Sequence, residues 1–256
     1  MRRDDKPWPE MLEEMIRDRL KPSRPVEVIN AGIPRYHLKH NLLRLPVQIL
    51  PLKPDMVISY HGANGFEMVH SAVPLRKVEL PPTYRIRPLK LLADIEYDLK
   101  MIWYRRHPNS RPIPRISLPE AMQTQYAQAY RELIRIAETN GIRLVLANYS
   151  MAVNGGSKRG VIEFYRGGFP MVDWWIKANE IHSMIVKQLA GEHREISLVD
   201  THPNLDGEHE KFVDVMHFTH EGERQLAESM FDGIKAVLAE DLSRSEPNRS
   251  NNPAGQ

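Results

Sequence analysis

Apolar residues Met11, Leu12, Met15 and Ile16 recur at three- and four-residue intervals behind Trp8, with Leu20 continuing the stripe. That spacing predicts an amphipathic helix, with Pro9 in its first turn and Pro22 just past its end. The same period returns at residues 88–104 (Leu91, Leu92, Ile95, Leu99, Ile102), 118–140, 172–189 (Trp175, Ile176, Ile181, Ile185, Val186) and 219–238 (Leu226, Ala227, Met230, Ile234, Val237). Between these helices lie short β-type runs: "VEVIN" at 26–30, "MVISY" at 56–60, the stretch "GIRLVLANYS", and "EISLVD" at 195–200. "NGGSKRG" reads as a flexible loop. Helix and strand alternate, which predicts a parallel sheet covered on both faces and places sites at the carboxyl ends of its strands. The expected unit is one α/β domain over residues 1–242. Residues 66–117, rich in proline and basic side chains, read as an irregular insertion, and 243–256 as a disordered tail.

Composition adds exclusions. With 35 Lys and Arg against 33 Asp and Glu, the 256 residues are close to neutral. The arginines gathered between Arg85 and Ser117 therefore read as a solvated surface, and no nucleic-acid motif accompanies them. The absence of cysteine excludes disulfides and thiolate catalysis. No run approaches the ~20 apolar residues of a membrane span, and the start "MRRDDKPWPE" lacks the apolar core of a secretory signal.

Candidate chemistry follows the strands. Asp214 stands three residues before His217, a spacing at which the carboxylate can hold one imidazole nitrogen and leave the other free as a base. After the first strand comes "NAGIP", whose Gly32 lets a backbone N–H approach a ligand; after the second comes "HGANG", whose Asn64 carries a donor amide. In the same region His202, His209, His217 and His220 mix with Asp200, Asp206 and Asp214, an alternative metal-binding set that matches no recognised zinc spacing.

Taken in order, a strand ending Asn-Ala-Gly, a strand ending Gly-x-Asn and a late Asp-x-x-His resemble the SGNH hydrolases, or GDSL family, over about residues 8–234 apart from 66–117. The resemblance implies a three-layer α/β/α sandwich with a flavodoxin-like parallel sheet. It implies an oxyanion hole of Gly32 N–H and the Asn64 side chain, His217 as general base, Asp214 as its orienting partner, and an ester as small-molecule substrate, with no cofactor or metal. Gly65 stands where the family commonly has Asp. The family's Gly-Asp-Ser block is missing: seven residues precede Trp8 and none is serine. The expectation is therefore that the first strand and nucleophile lie upstream of Met1, that these 256 residues alone are inactive, and that the sheet has a gap between 26–30 and 55–60. Ser150, at the end of the third visible strand, is expected to form a cleft wall. A non-catalytic protein binding a carbohydrate or acyl ligand is the alternative of another class.

Overall fold

A computed structural model describes residues 6–70, 95, 99, 102, 103, 106, 107 and 113–243. Helix α1 (Trp8–Met15) runs into a π-helical turn (Ile16–Leu20). Lys21, in the left-handed region at φ 47°, ends that turn. Next come α2 (Leu38–Arg44), strand β1 (Met56–Ser59) and a 3-10 turn (Ala63–His70). After them follow α3 (Leu118–Ala121), α4 (Gln125–Thr139), β2 (Arg143–Ala147), α5 (Arg159–Gly168) and α6 (Val172–Glu192). Strand β3 (Ser197–Val199), the short α7 (His202–Leu205) and α8 (His220–Ser243) complete the order.

The three strands form one parallel sheet in the order β1-β2-β3, with Ile58 opposite Val145 and Leu146 opposite Leu198. Alternation along β2 divides the core: Leu144 and Leu146 pack with α4 and α6, while Val145 and Ala147 pack with α1 and α8. The second layer joins Met11, Leu12 and Ile16 to Leu226, Met230 and Ile234; the first is filled by Tyr126, Tyr130, Ile181, Ile185 and Leu189. This is the expected three-layer α/β/α arrangement.

Four expectations are corrected. Residues 26–30 alternate in burial but join no ladder among the described residues. Val26 and Val28 nevertheless turn inward onto the α1–α8 layer, as do Met56 and Ile58 of β1, while Glu27 and Ile29 are exposed. The Val28 N–H donates to the Glu13 carboxylate at 2.6 Å, a side chain standing where a neighbouring strand would accept. The expected loop holds from Asn154 to Lys158 and ends two residues early, where α5 begins; Val161, Ile162 and Tyr165 of that helix are only half-buried and leave a weak apolar signal. The insertion does not begin at 66, because Phe66, Met68 and Val69 are buried in the core. The last helix continues to Ser243, past the expected 238. The helix expected at 88–104 lies largely outside the described residues, although Ile95, Leu99, Ile102 and Trp103 are helical; residues 244–256 of the expected tail lie outside them too.

Helix α8 is brought close by glycines. A Cβ at Gly233 would meet Val199 Cγ2 at 2.5 Å, and one at Gly222 would stand 2.1 Å from the Lys211 carbonyl oxygen. A backbone oxygen cannot swing aside as a side chain can, and such overpacking costs typically 1–3 kcal/mol or more. Gly222→Ala is therefore expected to lower the urea midpoint strongly, whereas Gly191→Ala, with open space around it, should not. Equal stability of the two variants would contradict this packing.

Candidate active site

The turn between Phe212 and Phe218 is closed by an antiparallel bridge, with ring centroids 4.6 Å apart and the Val213 N–H donating to the His217 carbonyl at 2.8 Å. Asp214 organises its interior. One carboxylate oxygen accepts from the N–H groups of Met216 and His217, both at 2.8 Å, the local bonding that suits Asp to turns. The other oxygen lies 2.7 Å from His217 Nδ1. Partial burial pushes the Asp214 carboxyl up, but the hydrogen bonds from Met216 and His217 outweigh it and hold the group below its ordinary range. An ionised Asp214 fixes the proton of His217 on Nδ1 and leaves Nε2 as the acceptor. The His217 side chain is 70% exposed, so that nitrogen is open to an incoming group.

The other two candidates lie on loops after 26–30 and β1, and both already donate. Gly32 N–H donates to Asn30 Oδ1 at 3.0 Å, and Asn64 Nδ2 donates to the Tyr36 carbonyl at 3.2 Å. The Gly32 N–H must release Asn30 to meet a ligand, whereas the Asn64 amide carries a second N–H. The Asn64 loop itself is firmly seated. Tyr126 Oη donates to the Gly62 carbonyl at 3.1 Å, and a Cβ at Gly62 would stand 2.1 Å from the Tyr149 ring.

Tyr149, which carried no expectation, connects the two halves. Its ring lies on Gly62 and edge-on to Phe66, 5.9 Å between centroids, and its hydroxyl donates to the Met216 carbonyl at 3.2 Å. The Ala152 N–H also donates to the Val215 carbonyl at 3.1 Å. The Gly-x-Asn loop and the Asp214–His217 turn thus share the carboxyl edge of the sheet, joined through the residue that stands two places beyond β2.

Ser150 is placed differently from the expectation. It is fully buried, with Oγ 2.7 Å from Thr201 Oγ1 and its N–H donating to Tyr60 Oη at 3.3 Å, so it belongs to the floor beneath the strand ends and walls no open cleft. A second serine, Ser59, lies 2.8 Å from His61 Nδ1 and is also buried. Arg44 donates to Asn41 Oδ1 at 3.0 Å, which turns the Asn41 amide nitrogen toward His61 Nε2, 2.9 Å away. Nε2 accepts, Nδ1 keeps the proton and donates to Ser59, and the pair cannot generate a nucleophile. Among the described residues no three His, Asp or Glu gather as metal ligands, which leaves the histidine-rich metal alternative without a site among them.

Comparison with solved structures sets this geometry in a fold. An acetyl xylan esterase superposes with a TM-score of 0.52 at 14% identity, covering 89% of this chain and 90% of its own. An acetylxylan esterase from Geobacillus stearothermophilus matches with a TM-score of 0.53 at 15% identity, over 90% of this chain and 81% of that one. The chain shares the α/β fold of these two esterases at low sequence identity. An alpha/beta hydrolase enzyme from the metagenome of Lake Arreo, Spain, matches with a TM-score of 0.52 at 14% identity, over 93% of this chain and 83% of that one. A structure of the Geobacillus enzyme described as a catalytic mutant carries alanine in place of a serine. No protein-family model and no curated protein matches the chain. The three described strands form a continuous run with β1 and β3 at its edges, and no helix of the described residues is long and apolar enough to cross a membrane.

Beneath the Asn64 loop, burial pushes His61 down to about 4 and His182 down to about 3, so both imidazoles are neutral. Unfolding returns each to about 6.5, so the unfolded chain binds more protons than the folded one below that pH. The two imidazoles cost nothing above about pH 6.5 and destabilise the fold as pH falls toward 4 and 3, by at most about 3 kcal/mol for His61 and about 5 kcal/mol for His182. Half-buried Asp206 and Glu223, raised by desolvation, act in the opposite direction at low pH. The urea midpoint of His182→Phe is therefore expected to fall less between pH 6.5 and 4 than that of the unsubstituted chain. Parallel profiles would mean that His182 is protonated within the fold.

Proposed function

We propose that the protein is a serine ester hydrolase acting on an O-acyl ester, with acetylated carbohydrate the substrate class favoured by its structural neighbours and short-chain or lipid esters within range. The observation that carries this reading is the 2.7 Å contact of Asp214 with His217 Nδ1, placed through Tyr149 against the Gly-x-Asn loop in the α/β fold shared with those esterases. In the proposed reaction a serine hydroxyl attacks the ester carbonyl while His217 Nε2 takes its proton. Gly32 N–H turns from Asn30 to the developing oxyanion, and an N–H of Asn64 Nδ2 donates to it as well. His217 then gives its proton to the leaving alcohol, activates water, and the acyl enzyme is released as a carboxylic acid.

The serine is proposed to arrive on a strand outside residues 1–256, seated between 26–30 and β1. Support comes from the geometry of the sheet: two segments turn the same face to the same helices with no ladder between them. The internally satisfied state of Gly32 favours one second reading, a ligand-binding protein in which the hole never opens.

Labelling with a serine-reactive fluorophosphonate, on protein made with its upstream coding sequence, separates the two readings. The hydrolase reading expects one labelled serine in that upstream strand and acetyl ester turnover. It further expects His217→Ala to lower kcat by about 10²–10⁴-fold and Asn64→Ala by about 10²–10³-fold. Folded protein that neither labels nor turns over any acetyl ester would leave the binding reading standing.

A further inference from the structure

Arg44, the last residue of α2, makes three side-chain hydrogen bonds beside the Gly32 loop. Its Nη1 donates to the Ala31 carbonyl at 2.9 Å and to Asn41 Oδ1 at 3.0 Å, and its Nε donates to Gln48 Oε1 at 2.8 Å. The guanidinium also lies over the Tyr36 ring, 5.7 Å from the centroid.

We infer that Arg44 is a positioning residue that sets both arms of the oxyanion hole at once, an inference that rests on the ester-hydrolase reading above. The first arm is direct. The Ala31 carbonyl and the Gly32 N–H are two ends of one planar trans peptide unit. A guanidinium that holds the oxygen fixes the direction in which the N–H points, and by drawing charge toward the oxygen it makes that N–H a stronger donor.

The second arm is reached by two routes. Asn41, its oxygen held by Arg44, donates to His61 Nε2 at 2.9 Å, and His61 is the residue from which the Gly62-x-Asn64 loop departs. His61 is in turn anchored to Ser59 at the end of β1. Separately, Tyr36 lies under the guanidinium and its carbonyl is the present acceptor of the Asn64 amide. A planar fork is required for this work: it spans Ala31, Asn41 and Gln48 at fixed angles, which a lysine ammonium cannot reproduce. A residue serving only as the end of α2 would have no reason to couple two loops separated by some thirty positions.

The test uses the 256-residue chain and acetate, the smallest carboxylate product of an acetyl ester, followed by NMR at the Gly32 amide and the Asn64 side-chain amide. Acetate is expected to shift both signals with one midpoint. Arg44→Gln and Arg44→Lys are each expected to displace both signals in the free protein and to weaken acetate at least about tenfold at both, while the Ser150 and Thr201 amides stay in place. An unchanged acetate midpoint in Arg44→Gln, or a disturbance confined to one arm, overturns the inference and leaves the hole intact. Acetate that shifts neither signal in the unsubstituted chain removes the hole itself, and the inference with it. Should the Arg44 variants fail to fold, Asn41→Ala cuts only the His61 route: Asn64 must then move while Gly32 does not, and the reverse pattern is contradictory.

Discussion

A strand inside an α/β sandwich must find hydrogen-bond partners on both edges, because a buried peptide group left unpaired costs on the order of 1–3 kcal/mol. β2 meets that requirement, with β1 on one side and β3 on the other. Among the described residues β1 and β3 each meet it on one side only, and residues 26–30 on neither. The chain responds locally: Glu13 reaches from α1 to the Val28 N–H, and Arg44 reaches from α2 to the Ala31 carbonyl. The disposition of the candidate site follows from this edge, since Gly32 lies just beyond it and the Asn64 loop leaves from β1.

Around that edge the site is assembled by residues that do no chemistry themselves. Tyr149 holds the Asp214–His217 turn against the Gly-x-Asn loop, while Tyr126 and His61 fix the root of the loop from below. Asp214 accepts three hydrogen bonds and so stays ionised, which selects the tautomer of His217. On the proposed ester-hydrolase reading, the arrangement supplies a base and two donors. Gly32 is held by Asn30, an acceptor weak enough in this exposed position to be exchanged for a charged oxygen, while Asn64 carries a second N–H beside the one held by Tyr36.

Much of this was legible in the sequence, for physical reasons that also mark where legibility stops. The helical periods of α1, α4, α6 and α8 reflect wide apolar faces, and Asp214 and His217 are close in the chain, so their contact needs no tertiary information. "VEVIN" has strand composition, but a ladder is a property of two segments, and none of the described residues pairs with it. α5 buries little and escaped notice. Ser150 was placed in a cleft because it follows β2; which side of the chain faces solvent there depends on Thr201 and Tyr60, remote in sequence. The same holds for Arg44 and Tyr149, whose importance lies wholly in contacts with other segments.

Amide hydrogen exchange at residues 26–30 and at β1 tests the open edge most directly, comparing the 256-residue chain with protein made from its upstream coding sequence. The account predicts rapid exchange of the edge-facing amides in the first and strong protection of both segments together in the second. Full protection already present in the 256-residue chain, or no gain in the longer one, would contradict it.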